Sequence, residues 1–132
     1  MDVIFLNRAT ILWYSRRQNT VESSTFGSEF IALKTAVEML IGLRLKLLCF
    51  GIPIDGPSNV MCDNEAITKN VRTPQSTLSK KHNAVAFHKC REGVAALIYR
   101  CAHEPTGTNL SDIFTKQKSS TERDRLIFKF MY

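Results

Sequence analysis

The chain has 132 residues, a hydrophobic fraction of 44% and a formal net charge of +6. This length allows one domain with a buried core, and the composition excludes a disordered chain. Arg44 and Lys46 interrupt the longest apolar stretch, residues 39–54, so we expect no membrane span and no membrane partner, whereas the positive charge favours a polyanionic partner.

The first half of the chain predicts a hairpin followed by a long helix. β-Branched and aromatic residues predict strands over residues 2–6 and 10–15, joined by a short connection. Apolar side chains then recur at three- and four-residue steps from Phe26 onward and predict an amphipathic helix over residues 25–50. Gly51 and Pro53 end this helix.

The second half predicts shorter elements in alternation. We expect a strand over 59–62, a helix over 63–71, a turn at 73–76, a helix over 79–93, a strand over 94–102, a helix from about 109 and a last helix over 121–132. This order indicates the α/β class.

Three carboxylates stand at the rims of these elements. Glu29 shares the helix face of Phe26 and Leu33, Asp63 ends an apolar strand and begins a helix, and Asp112 opens a late helix. Each acid also has a purely structural interpretation. Glu29 could be a first-turn acid that the helix dipole favours, and Asp63 could be a helix N-cap. Asp112 nearly completes a capping box with Asn109. The three acids together predict one divalent-metal site.

Four motifs in one order carry a resemblance to a known family. They are Trp13-Tyr14-Ser15-Arg16-Arg17-Gln18-Asn19-Thr20-Val21-Glu22-Ser23-Ser24-Thr25 with Ser28-Glu29-Phe30-Ile31-Ala32-Leu33, Cys62-Asp63-Asn64 with Ala66-Ile67, Lys81-His82 with His88 and Arg91-Glu92, and Asn109-Leu110-Ser111-Asp112-Ile113-Phe114-Thr115-Lys116. Over residues 3–118 the chain resembles the ribonuclease H domain of copia-type LTR retrotransposon polyproteins.

The resemblance implies a fold, a reaction and a cofactor. The family fold is a ribonuclease H-like mixed sheet of five strands flanked by helices, and its members hydrolyse the RNA strand of RNA–DNA hybrids. Two divalent metal ions, usually Mg2+, are held there by four acids. By resemblance Glu29 is the helix acid, Asp63 bridges the metals, and Asp112 helps to hold the metal on the water side.

The chain departs from the family at its start. The family's first, central strand carries its first aspartate and has no counterpart here, and Asp2 aligns with the second strand instead. We therefore expect an N-terminally truncated ribonuclease H-like domain over residues 1–118, inactive on its own, followed by a helical tail over 119–132. The hairpin is expected to pair with the 59–62 strand, to pair between chains, or to stay loose. The alternatives are a non-catalytic module that binds nucleic acid or a retroelement protein, and a translated pseudogene fragment.

Basic residues beside the motifs predict contacts with a nucleic-acid backbone. They are Arg16, Arg17, Lys80, Lys81 and Lys116, with Lys118 beside the last. A solvated charged face is the alternative for each. The expected partners are an RNA–DNA hybrid or other nucleic acid and the reverse transcriptase portion of the same polyprotein. Trp13 and Tyr14 offer a stacking surface, although at strand spacing one of them is expected in the core.

The cysteines predict the compartment rather than a metal. Four widely spaced cysteines and the lack of a signal-peptide pattern indicate reduced thiols in an intracellular protein of the cytoplasm or nucleus that is not secreted. His88, Cys90, Cys101 and His103 form pairs with one-residue gaps. These gaps do not match the usual spacings of structural zinc sites, so we expect buried cysteines and surface histidines.

Overall fold

The computed structural model describes residues 2–7, 9–15, 25–75, 84–114 and 117–131. The chain divides into two units, one formed by Met1–Asn19 with Pro105–Tyr132 and the other by Thr20–Glu104.

The first unit contains the predicted hairpin. Strands β1 (Asp2–Leu6) and β2 (Ala9–Tyr14) pair antiparallel, with an irregularity between Ile4 and Phe5. Asn7 has a φ of 56°, a left-handed conformation that asparagine tolerates and that tight connections between strands require. A 3-10 helix (Leu110–Phe114) contacts β1 in the same unit.

Helix α4 (Ser120–Met131) belongs to this unit as well and contacts both β2 and the 3-10 helix. Its Leu126 is buried. The C-terminal segment is thus helical, and it begins one residue before the predicted start.

The second unit opens with helix α1 (Thr25–Cys49), which matches the predicted helix to within one residue. The helix ends where the sequence places its glycine. Gly51 has a φ of 75°, its N–H donates to the Leu48 carbonyl at 2.9 Å, and the Ile52 N–H donates to the Leu47 carbonyl at 3.0 Å. These two bonds form a Schellman motif, which satisfies carbonyl groups that a helix end leaves without partners.

A second sheet lies in the same unit. Strands β3 (Ser58–Cys62) and β4 (Tyr99–His103) pair parallel, with Cys62 opposite His103. Parallel strands need a crossover connection, which here includes helices α2 (Glu65–Arg72) and α3 (Ala84–Ala95). Arg44 of α1 donates to the Ser58 hydroxyl at 2.7 Å and thereby ties α1 to the start of β3.

The core of the second unit forms where α1 and α2 pack on α3, and where α2 and α3 pack on β4. Phe30, Ile67, Phe87 and Tyr99 are fully buried there or nearly so. The Phe30 and Phe87 rings lie 5.8 Å apart at 44°, a tilted arrangement that aromatic pairs favour. This cluster holds the beginning of α1 close to the β3–α2 connection.

The strand predicted over residues 94–102 was wrong at its start. Helix α3 continues to Ala95, Leu97 takes a left-handed φ of 54°, and β4 begins only at Tyr99. Gly93, predicted to end the helix, lies inside it and faces the Tyr99 ring. A Cβ atom at Gly93 would lie 3.1 Å from Tyr99 Cδ1 and still closer to Cε1. The glycine therefore makes room for a buried ring, a reason that local sequence does not reveal.

The α/β class is confirmed in its broad form, because the described residues form four α-helices and two two-stranded sheets. The five-stranded mixed sheet of the ribonuclease H fold, with its first central strand missing, stays a prediction. None of the helices in the described ranges is both long and apolar enough to cross a membrane.

Candidate active site

Glu29 lies beyond the first turn of α1, which contains no acidic residue. The alternative of a first-turn acid that the helix dipole favours was therefore wrong. Glu29 is half-buried, and its Oε2 accepts a hydrogen bond from the Asn64 side-chain amide. A charge at the edge of an apolar face needs such compensation.

Asn64 is the residue that organises this region. It is the N-cap of α2, with extended backbone angles, and its Oδ1 accepts from the Ile67 N–H at 3.1 Å. Its Nδ2 donates to Glu29, so one side chain joins the start of α2 to α1. This role was not predicted from sequence, although Asn64 is as good a capping residue as Asp63, and its position directly before Glu65-Ala66-Ile67 was a usable signal.

Asp63 is neither the first residue of α2 nor its N-cap, which corrects both predictions. It lies in the bend between β3 and α2 and is exposed. The side-chain bonds that begin the helix belong to Asn64. Asp63 therefore lies at the carboxyl end of a parallel strand, where ligand sites gather, and N-capping does not account for an acid at this position.

The pKa of the Cys62 thiol reflects the charges near this strand end. Burial raises the pKa of Cys62 most, and the negative charges of Asp63 and Glu29 raise it further. The two carboxylates thus act on the same half-buried thiol from two parts of the chain. The structure brings Glu29 and Asp63 into one region of the second unit, at the end of β3.

Asp112 lies within the 3-10 helix of the other unit rather than at its start. Asn109 caps this helix, because its Oδ1 accepts from the Ser111 N–H at 3.0 Å and its carbonyl accepts from the Asp112 N–H at 3.2 Å. Asp112 is 3% exposed, and its Oδ2 lies 3.8 Å from Lys118 Nζ. An ammonium group therefore already balances this buried carboxylate.

The three predicted acids divide between the two units, two in one and one in the other. Their convergence on a single metal site stays a prediction. Among the residues described by the structure, no group of three or more histidine, cysteine, aspartate or glutamate side chains is arranged to hold a metal ion. Glu29 and Asp63 provide hard carboxylate oxygens, the ligand type that Mg2+ prefers, and Mg2+ commonly uses only one or two of them.

The predicted nucleic-acid contacts Arg16, Arg17, Lys80, Lys81 and Lys116 lie outside the described residues. Lys118 is described, and its side chain is 11% exposed beside Asp112, so its contact with phosphate stays a prediction. Trp13 is 65% exposed on β2 and is open to stacking.

The thiols of Cys90 and Cys101 are buried. Burial raises the pKa of Cys90 to about 12 and that of Cys101 to about 11. Zinc ligation needs a thiolate, which these sites disfavour. His88 and His103 are exposed.

Comparison with known proteins relates nearly the whole chain to retroelement proteins. It is 27% identical over 119 residues to the retrovirus-related Pol polyprotein from transposon RE1 of Arabidopsis thaliana, and 27% identical over 117 residues to that from transposon RE2 of the same plant. These matches cover 90% and 89% of the chain but only 8% of either polyprotein. No family model matches the chain, and no solved structure does. The comparisons support a segment of a retrotransposon Pol polyprotein, which confirms the retroelement part of the resemblance.

Proposed function

We propose that the chain is a ribonuclease H-related segment of a retrotransposon polyprotein, whose acids Glu29, Asp63 and Asp112 serve the two-metal hydrolysis of RNA in RNA–DNA hybrids. The observation that carries the proposal is the Asn64 bridge. This bridge joins the Glu29 carboxylate to the connection that bears Asp63, at the carboxyl end of β3. Ligand sites in open α/β sheets gather at such strand ends.

The residues present have separable tasks. Asp63 is exposed at the strand end and is free of capping, so its oxygens are suited to direct metal contact. One oxygen of Glu29 accepts from the Asn64 amide, and we assign its other oxygen to the ion. Mg2+, when bound, activates water and stabilises charge on the scissile phosphate. The carboxylates bind and orient the ion.

The same geometry explains why we expect no activity from these 132 residues alone. The family's first aspartate has no counterpart in them, and Asp112 is balanced by Lys118 at 3.8 Å. Two carboxylates in one region supply too little charge to hold two divalent ions. Activity is expected when a strand with an aspartate is supplied, either before this segment or by another chain.

A rescue experiment tests the proposal. The chain is expressed behind a family-type strand that carries an aspartate, and cleavage of a labelled RNA–DNA hybrid is measured with Mg2+. We expect cleavage that the Asp63→Asn change abolishes. Asp55→Asn, at an exposed loop acid outside the site, is the matched control and should cleave normally. Failure to cleave with the strand restored contradicts the assignment of the three acids.

The buried Asp112–Lys118 pair favours a second candidate, a non-catalytic module that binds nucleic acid or the reverse transcriptase portion of the polyprotein. An ammonium group beside a metal-binding acid competes with the metal for that acid. This candidate predicts hybrid binding that is the same with Mg2+ and with a chelator. Hybrid binding that requires Mg2+ and is lost in Asp63→Asn would contradict this second candidate.

A further inference from the structure

The second unit has a groove whose lining includes neither Glu29 nor Asp63. Its volume is about 570 Å3, and it is formed by the end of α2 with the following turn and by one face of α3. The residues that matter for its chemistry are Arg72, His88, Arg91 and Glu92, and an apolar part is formed by Val71 and Val94. Basic side chains outnumber acidic ones along its wall.

Arg91 is held in place by several contacts. Its guanidinium lies 5.0 Å from the centre of the Phe87 ring, and its Nη2 donates to the Thr73 carbonyl at 3.3 Å and to the Pro74 carbonyl. Carbonyl oxygens near the end of a helix carry partial negative charge, which disfavours an anion. Arg91 covers two such oxygens and leaves a positive charge at the groove instead.

Arg72 and His88 add donors at the solvent side. Both side chains belong to exposed residues, Arg72 on the last turn of α2 and His88 on α3. Glu92 brings one negative charge, which Lys89 partly offsets because its Nζ lies 3.7 Å from Glu92 Oε2. The groove thus combines positive charge with side-chain hydrogen-bond donors, the groups that proteins use to contact backbone phosphates.

Helix α2 links the groove to the acids. It has eight residues, with Asn64 at its beginning and Arg72 at its end. Eight residues span about 12 Å at 1.5 Å per residue. With a rise of about 3.4 Å per nucleotide in one strand, this length corresponds to roughly three or four nucleotides. A strand that ran along α2 with its scissile phosphate at Asp63 would place a further phosphate at the groove.

We infer that the groove between α2 and α3 binds backbone phosphates of the nucleic-acid strand that passes Asp63, with Arg72 and His88 as its contacts and Arg91 as its fixed charge. The inference deepens the proposed function and rests on it for the identity of the ligand. It assigns the groove a positioning role, without readout of base sequence.

The experiment measures binding of a short fluorescein-labelled RNA–DNA hybrid to the full chain by anisotropy over a range of salt. The Arg72→Gln/His88→Gln variant is compared with the Arg100→Gln control. The control removes a charge from an exposed residue of β4 that does not line the groove. Each lost phosphate contact lowers the slope of log affinity against log salt by about 0.9, so the affinity ratio between about 50 and 200 mM salt falls about 3.5-fold per contact.

We expect the groove variant to lose one or two contacts on this measure and the control to keep the wild-type slope. Equal slopes for the two variants overturn the groove while leaving the proposed function intact. No binding by the wild-type chain overturns the groove, and the strand-restored chain then tests the proposed function separately. If the groove variant loses contacts but the rescued nuclease is unaffected by Asp63→Asn, the groove is supported and the catalytic assignment of Asp63 is contradicted.

Discussion

The Asn64 bridge makes the sharpest stability prediction. Its side chain makes two bonds that substitutions can separate, one to the Ile67 N–H at 3.1 Å and one to Glu29 Oε2. Loss of an N-cap costs about 1 kcal/mol, and loss of a hydrogen bond to a charged group costs about 1.5–3 kcal/mol. Because Glu29 is only half-buried, we take the lower end of the second range. Asn64→Ala should therefore lower the free energy of unfolding by about 2–3 kcal/mol.

Two further substitutions divide this loss. Asn64→Ser keeps a capping oxygen but is too short to reach Glu29, so it should recover about 1 kcal/mol. Asn64→Asp also keeps the cap but places a carboxylate against Glu29. It should be less stable than Asn64→Ser near neutral pH, because two like charges then face each other.

The assay is urea unfolding followed by circular dichroism. Asn59→Ala is the matched control, since Asn59 is exposed on β3, and it should change stability by less than about 0.5 kcal/mol. A double-mutant cycle that combines Asn64→Ser with Glu29→Ala should show a coupling of about 1.5 kcal/mol, the energy of the shared bond, because each single change already breaks it. Single effects that add fully, within about 0.3–0.5 kcal/mol, would refute the bridge.

Three other predictions concern α3, the turn that follows it and the buried cysteines of α3 and β4. Gly93→Ala should cost about 1–3 kcal/mol, because its methyl group meets the buried Tyr99 ring, and an unchanged urea midpoint contradicts this packing. Leu97→Gly should stabilise by roughly 0.5–1 kcal/mol, because Leu97 is 68% exposed and holds a φ of 54°; Leu97→Ala, which keeps the strain, should not. Burial raises the pKa of Cys90 to about 12 and that of Cys101 to about 11, so these thiols keep their protons in the folded state after the unfolded state loses them near about 8.5. Stability should thus be full below that pH and fall as the pH rises toward 11; urea midpoints that rise over this interval contradict the burial.

The elements that rest on local pattern were predictable from sequence. The hairpin and α1 follow from strand alternation and from three- and four-residue spacing, and Gly51 ends α1 because its left-handed φ of 75° suits a residue without a Cβ. The retroelement resemblance likewise rested on four short motifs, and the comparisons support it. Local chemistry is sufficient in these cases because each residue acts on neighbours within a few positions.

Sequence suggested the residues of the candidate site but not the contacts that these residues make. Glu29, Asp63 and Asp112 were chosen by position at the rims of elements, yet Asn64 took the cap expected of Asp63 because its amide also reaches Glu29 across 35 positions. Asp112 gained a buried partner in Lys118, which the sequence suggested for phosphate.

Sequence alone determined the α/β class and most element boundaries, since these depend on periodicity and turn residues, and it supplied the three acids as a prediction. Tertiary structure decided which of two adjacent polar residues caps α2, why Gly93 lies inside a helix, and which charges neutralise each other. Those outcomes depend on side chains that are distant along the chain and meet only in the folded protein. There, burial makes an unpaired polar group or an overpacked site energetically unfavourable.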